Sequence, residues 1–202
     1  MLEDFLLMLI IMNPFAQTLY LSTLMEQTDG RTFSRVLFEG GLFTLFICLL
    51  CATAGEFLLF RMFQVTLPAM RVFGGLINLQ LAWSYVLKGP AGVKLFRGDV
   101  AELAQQIAMP VMVGAGVVWV SVRIGRVHSL VDSIIIIAGV IAANCALIEL
   151  YRLVLTKSRG RLEKLIPKYF GMAMRFNALL AGAVSVQMIL GGTIEFIAEY
   201  PS

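Results

Sequence analysis

The sequence predicts an all-α fold: a polytopic membrane protein of six transmembrane helices, arranged as two inverted three-helix repeats. The first supporting observation is composition, because 59% of the 202 residues are hydrophobic and only 14% are charged. A soluble domain has roughly 45–50% apolar and about 25% charged residues. The second observation is a set of six long apolar runs, and the third is a pair of matched interruptions in the first and fourth runs.

Six apolar runs are long enough to cross a hydrocarbon layer, which needs roughly 20 residues. The chain begins Met-Leu-Glu-Asp and lacks the basic segment of a cleavable signal peptide, so the first run is expected to be a retained span. The predicted spans cover residues 5–25, 36–60, 66–88, 103–123, 130–154 and 173–197.

The first and fourth spans each contain residues that interrupt a helix. In span one, Asn13 is a good N-cap and Pro14 suits the first position of a restarted helix. In span four, Pro110 removes a backbone donor, and Gly114 and Gly116 loosen the backbone and allow another helix to come close. Broken helices of this kind form binding sites in transporters, although prolines and glycines also kink ordinary membrane helices.

The two halves of the chain show a weak internal repeat. Besides the paired interruptions, Met70-Arg71 at the start of span three matches Met174-Arg175 at the start of span six. The predicted repeats are residues 1–98 and 99–202, within a single membrane domain. Because each half has three spans, the halves would enter the membrane from opposite sides, with a site near the midplane. Chance similarity between apolar segments is the competing explanation.

The basic residues predict the orientation. Eleven of the 16 lysines and arginines fall in or beside loops one, three and five, which places these loops in the cytoplasm. Both termini would therefore lie outside. The expected location is the plasma or inner membrane, which the chain crosses several times.

The polar residues inside the spans are mostly uncharged and predict a neutral cargo. Each buried amide needs a hydrogen-bond partner, so the alternative is that these residues only join helices to one another. The candidate substrate-binding residues are Asn13, Pro14, Gln17, Thr18, Gly74, Gly75, Asn78, Pro110, Gly114 and Gly116. Further polar residues in or beside the spans are Gln80, Gln105, Gln106, Asn144, Ser185 and Gln187.

Four charged residues near the span ends are candidates for gating or ion coupling. Glu56 could meet Arg71 across a short turn, and Glu149 shares a helix face with a basic residue three positions later. Arg71 would lie at the outer entrance to the site, and Arg175 would lie at the inner entrance. Ion pairs at helix ends are the structural alternative. The only histidine, His128, lies in a predicted loop and is expected to be solvated.

The order and spacing of these motifs resemble the MarC family, which is also called the neutral amino acid transporter family. The resemblance is carried by Asn13-Pro14, by Arg71 followed by Gly74-Gly75, by Pro110 with Gly114 and Gly116, and by Arg175. It covers essentially the whole chain. It implies six spans, outward termini and, for some members, transport of small neutral amino acids.

The favoured function is a secondary transporter of small neutral solutes, most readily neutral amino acids, working by alternating access. The alternative is a carrier of polar lipid head groups, or an accessory membrane protein without transport of its own. An enzyme is not expected, because the spans contain no zinc-binding helix motif and no activated serine. We expect no cofactor, no metal and no nucleic-acid partner; the expected partners are the solute and the bilayer, and a homo-oligomer is left open.

Overall fold

A computed structural model describes residues 1–62, 64–88, 112–157 and 161–199 of the chain. The described residues form helices and contain no strand, as the sequence predicts. A π-helical turn, Phe57–Met62, continues the third helix. The helices are α1 (Leu2–Met12), α2 (Pro14–Gln27), α3 (Gly30–Glu56), α4 (Leu67–Lys88), α5 (Ala115–Val127), α6 (Leu130–Lys157) and α7 (Arg161–Glu199).

Three of the described helices are long and apolar enough to cross a membrane on their own. They contain the segments Gly30–Gly55, Leu130–Thr156 and Gly171–Ala198. The outward faces of the bundle carry large apolar side chains, among them Phe46, Phe73 and Ile194. A soluble protein rarely exposes apolar surface on this scale, whereas a lipid-facing surface requires it. The division into six spans and the inverted repeat stay predictions.

The start of α3 shows how the short loops end in defined caps. Asp29 precedes the helix, and its carboxylate accepts hydrogen bonds from the backbone N–H groups of Arg31 and Thr32. Hydrogen bonding by Thr32, first from its side chain and then from its backbone, lowers the pKa of Asp29. The stabilisation that this cap gives is therefore fully present at a pH above the ordinary carboxyl pKa, and it is lost as the pH falls through the lowered pKa of Asp29.

Glycines let the helices approach closely, as expected for a membrane bundle. A Cβ on Gly75 of α4 would lie 2.8 Å from the carbonyl oxygen of Ser185 in α7. A Cβ on Gly41 of α3 would lie 3.1 Å from the Cys145 sulfur of α6. Helix α4 makes its most extensive contact with α7, while α3 packs on α5 and α6, and α6 also packs on α1 and α2.

The sixth predicted span, residues 173–197, nearly coincides with the apolar segment Gly171–Ala198 of α7. The helix itself begins earlier, at Arg161, in the stretch that the sequence assigns to the fifth loop. The charged residues before the apolar segment have high helix propensity, so the helix extends through them. Arg175 therefore lies inside a continuous helix, where its side chain is exposed.

Gly125 offers a direct test of this packing. A Cβ at this position of α5 would overlap the backbone of Ala52 in α3, and backbone cannot move aside as a side chain can. We expect Gly125→Ala to destabilise the protein by about 1–3 kcal/mol, measured by unfolding in mixed micelles.

Gly171→Ala is the matched control for this test. Among the described residues, nothing lies within 4 Å of the position that a Cβ on Gly171 would take. Removing a helical glycine there should stabilise the protein by about 0.5–1 kcal/mol. Equal effects of the two substitutions would contradict the close approach of α3 and α5.

Candidate functional site

The first predicted helix break is confirmed at Asn13. This residue ends α1 and precedes α2 in the left-handed conformation, with φ 51° and ψ 69°. Asparagine tolerates that conformation better than most residues, and Pro14 then begins α2 with a φ already suited to a helix. Two short helices, of 11 and 14 residues, thus replace one continuous span.

Three side-chain amides bind the backbone groups that this break leaves unpaired. The Asn13 Oδ1 accepts a hydrogen bond from the Ala16 N–H at 3.1 Å. Gln17 donates to the Met12 carbonyl at 2.8 Å, and Asn177 of α7 donates to the Ile10 carbonyl at 3.1 Å. The first break is therefore largely satisfied from within the protein.

A buried hydrogen bond connects the first break to α6. The Asn144 side chain donates to the Gln17 Oε1 at 2.8 Å, and both residues are almost fully buried. Thr18 is also buried, and its hydroxyl donates to the carbonyl of Phe15 in the same helix. The Asn144 Oδ1 is buried without a hydrogen-bond partner among the described residues, so it can accept a further donor.

The second break lies before α5. Gly114 has an extended backbone and precedes the helix without a side-chain cap. No described atom lies within 4 Å of the position that a Cβ on Gly114 would take. Pro110, which the sequence also assigns to this break, lies outside the described residues. Within the described part of the chain, no side chain accepts a hydrogen bond from the first N–H groups of α5.

Asn78 and Gly74 of α4 lie against the start of α5. The Asn78 amide covers Gly116 so closely that a Cβ on Gly116 would overlap it. Gly74 lies close to Ala115, whose carbonyl oxygen is 3.2 Å from the position that a Cβ on Gly74 would take. Asn78 is only 8% exposed, and its Nδ2 has no hydrogen-bond partner in the described part of the chain.

The two breaks meet in space. A Cβ on Gly116 would lie 3.0 Å from Ile11 Cγ2, so the last turn of α1 contacts the first turn of α5. The C-terminal end of a helix carries a partial negative charge and the N-terminal end a partial positive charge. Helix ends of opposite sign therefore lie side by side, next to the unpaired donor of Asn78.

The other predicted polar residues divide into buried and exposed sets. Ser185 is buried, and its hydroxyl donates to the Ala181 carbonyl in its own helix. Gln80 and Gln187 are exposed on the outside of the bundle, so they do not belong to the site that the breaks form. Gln105 and Gln106 lie outside the described residues.

Two of the four charged candidates, Arg71 and Glu149, form ion pairs at the ends of the bundle. Glu149 pairs with Arg152 and accepts a hydrogen bond from the Ser34 hydroxyl, and Arg152 covers Gly30. Arg71 pairs with Glu195 of α7, a partner that the sequence did not predict. The side chain of Glu56 is outside the described part of the structure.

His128 corrects a second expectation, because it is paired and not simply solvated. Its Nε2 lies 2.7 Å from the carboxylate of Asp4, which is 5% exposed and also pairs with Arg123. These contacts bring the N-terminal turn next to the α5–α6 loop. The sequence separation of more than a hundred residues left no local signal for them.

No group of three or more His, Cys, Asp or Glu side chains is placed to hold a metal ion within the described ranges.

Comparison with known proteins identifies relatives over nearly the whole chain. The model of the "MarC family integral membrane protein" family matches residues 1–197. A UPF0056 membrane protein from Pyrococcus horikoshii is 26% identical over 95% of this chain and 92% of its own length. A UPF0056 membrane protein from Aquifex aeolicus is also 26% identical, over 94% of this chain and 90% of its own. No solved structure matches the chain.

The first break makes a prediction about Asn13. Alanine would lose the cap on Ala16 and also adopt a left-handed backbone unfavourable for a residue with a Cβ, at a combined cost of about 2–3 kcal/mol. Glycine adopts that backbone freely, and at an N-cap it costs only a few tenths of a kcal/mol. Unfolding in mixed micelles should therefore show Asn13→Ala to be clearly less stable than Asn13→Gly. Equal losses would mean that the chain does not break here.

Proposed function

The chain belongs to the MarC family of integral membrane proteins, and from this premise we propose that it is a secondary transporter of small neutral solutes. Its substrates in this proposal are neutral amino acids, which bind between the two broken helices and cross the membrane by alternating access. The proposal includes a multi-pass chain in the plasma or inner membrane, with both termini outside. It assigns the protein no catalytic activity.

The observation that carries the proposal is the start of α5, which has no side-chain cap among the described residues, beside the Asn78 Nδ2, which has no hydrogen-bond partner among them. Helix N-termini attract carboxylates, because their free N–H groups and their partial positive charge both favour an anion. Asn78 supplies an additional neutral donor at the same place. A buried amide donor without a partner is costly unless a ligand or water completes its hydrogen bond.

The adjacent end of α1 supplies the complementary half of an amino-acid site. Its partial negative charge favours an ammonium group, as the ends of broken helices do in other transporters, although the carbonyls of Ile10 and Met12 already accept side-chain hydrogen bonds. The Asn144 Oδ1, near the same break, is a further acceptor without a partner among the described residues. A zwitterion, with its two charges one carbon apart, matches two helix ends of opposite sign.

The described polar residues that line the breaks are uncharged, which supports a neutral net charge on the cargo. Asn13, Gln17, Thr18, Asn78 and Asn144 are all buried and carry no formal charge. A net ion would have to leave water for this interior without a charged partner, at a cost of several kcal/mol. A zwitterion is stabilised by dipoles at both of its ends.

Uptake into proteoliposomes tests this function. The purified protein should accumulate radiolabelled alanine, glycine or serine under at least one imposed proton or sodium gradient. Absence of accumulation of all three under every gradient would contradict the proposed substrate class.

Asn78→Ala and Gln80→Ala form a matched pair for the same assay. The two side chains lie two residues apart on α4, but Asn78 is buried at the break and Gln80 is exposed outside. Losing a hydrogen bond to a charged group costs about 1.5–3 kcal/mol, so Asn78→Ala should lower the specificity constant for uptake by roughly 10- to 100-fold. Gln80→Ala should leave it unchanged; equal losses would exclude a specific role for Asn78.

A further inference from the structure

A second polar feature lies at the end of the bundle that holds Asp4 and His128. A cleft of about 290 Å³ opens there between α4, α5 and α7. Its polar lining consists of Arg71 from α4, Arg123 and Arg126 from α5, and Glu195 from α7, and Trp119 also lines it. Among the described residues, three arginines thus line one small cleft with a single glutamate.

The cleft contains hydrogen-bond donors that have no partner in the described part of the chain. A guanidinium and an indole N–H can donate hydrogen bonds but accept none. Arg71 Nε and Trp119 Nε1 are both buried and have no hydrogen-bond partner among the described residues. Trp119 itself is only 5% exposed, so bulk water does not readily satisfy its N–H.

Arg71 is held in place by three neighbours. Its guanidinium lies 5.2 Å from the centre of the Trp119 ring and pairs with Glu195. Gly191 of α7 provides the space, because a Cβ there would lie 2.6 Å from the guanidinium. The side chain of Arg71 is 19% exposed, whereas that of Glu195 is 52% exposed. The arginine is therefore the fixed partner and the glutamate the one that can swing into solvent.

We propose that this cleft binds an oxyanion, a carboxylate or a phosphate group, which replaces Glu195 on Arg71. Arginine presents two parallel donors that match the two oxygens of such a group, and Trp119 can add a third. Arg123 and Arg126 raise the positive potential of the cleft, although Asp4 offsets part of the charge of Arg123. The Glu195 carboxylate occupies the position of the ligand when none is bound.

The shared chemistry admits two sources of the oxyanion. One is a free anion in the aqueous phase, and the other is the phosphate of a lipid head group, since the cleft lies at the end of the bundle. This site is separate from the helix breaks and does not depend on transport. Binding to purified protein therefore tests it independently of any uptake measurement.

Trp119 provides the signal for this test. The chain has two tryptophans, and Trp83→Phe removes the exposed one, so the fluorescence of the remaining residue reports on the cleft. The purified variant in neutral detergent is titrated with sodium phosphate, sodium acetate and a short-chain phosphatidylglycerol, each against sodium chloride at equal ionic strength. Saturable change with the salts supports a free oxyanion, and saturable change with the lipid alone supports a head group.

Three substitutions in the Trp83→Phe background separate specific binding from general charge effects. Arg71→Gln should weaken binding about tenfold or more, because it removes the paired donors. Glu195→Gln should tighten binding several-fold, because it removes the internal competitor. Arg35→Gln removes the same charge from an exposed position on α3, in a separate ion pair with Glu39, and should change nothing.

Three results would each overturn the proposal. The first is no saturable change with any of the three probes. The second is equal weakening by Arg35→Gln and Arg71→Gln. The third is unchanged or weaker binding by Glu195→Gln. This substitution is conservative and its side chain is exposed, so misfolding would not explain such a result.

Discussion

A helix that breaks within a hydrocarbon layer must satisfy its freed backbone groups from inside the protein, because the lipid offers no hydrogen bonds. The two breaks of this chain meet that requirement differently. At the first, the amides of Asn13, Gln17 and Asn177 bind the backbone around residues 10–16. At the second, Gly114 offers no side-chain cap to α5. The first break is thus satisfied by side chains of the protein, whereas no side chain among the described residues caps the second.

The contact between the breaks depends on glycines, because a side chain at these positions would overlap the neighbouring helices. Gly116 lets Asn78 and Ile11 lie against the first turn of α5, and Gly74 brings α4 close to the same turn. Ion pairs at the two ends of the bundle then hold the helices that carry these residues. Glu149 and Arg152 connect with Ser34 of α3, while Asp4 connects α1 with Arg123 of α5. The neutral interior lies between these charged ends.

The sequence predicted the local features of this arrangement and missed the long-range ones. Asn13-Pro14 carries its own cap and restart signal, so the break could be placed to the residue. The sequence placed Asn78 among the candidate binding residues and Gln80 outside them, but their difference in burial depends on where α7 and α5 pack against α4, which no local pattern indicates. The pairs Asp4–Arg123 and Arg71–Glu195 join residues 119 and 124 positions apart, and no periodicity within one helix indicates them. The sixth span was predicted closely, but the charged stretch before it was interpreted as a loop, whereas α7 extends through it from Arg161.

The proposed function requires a carboxylate at the start of α5, and solid-state NMR measures that contact directly. Protein labelled with ¹⁵N-glycine contains labelled backbone nitrogens at Gly114 and Gly116, and alanine labelled with ¹³C at its carboxyl carbon is added to saturation. We expect dipolar dephasing that corresponds to a carbon–nitrogen separation of about 4 Å. At a fixed, subsaturating alanine concentration, Asn78→Ala should reduce this dephasing, because it removes the donor beside Gly116 and leaves both labels in place. Saturably bound alanine without dephasing from any glycine nitrogen, or dephasing that is unchanged in Asn78→Ala, would contradict this binding site.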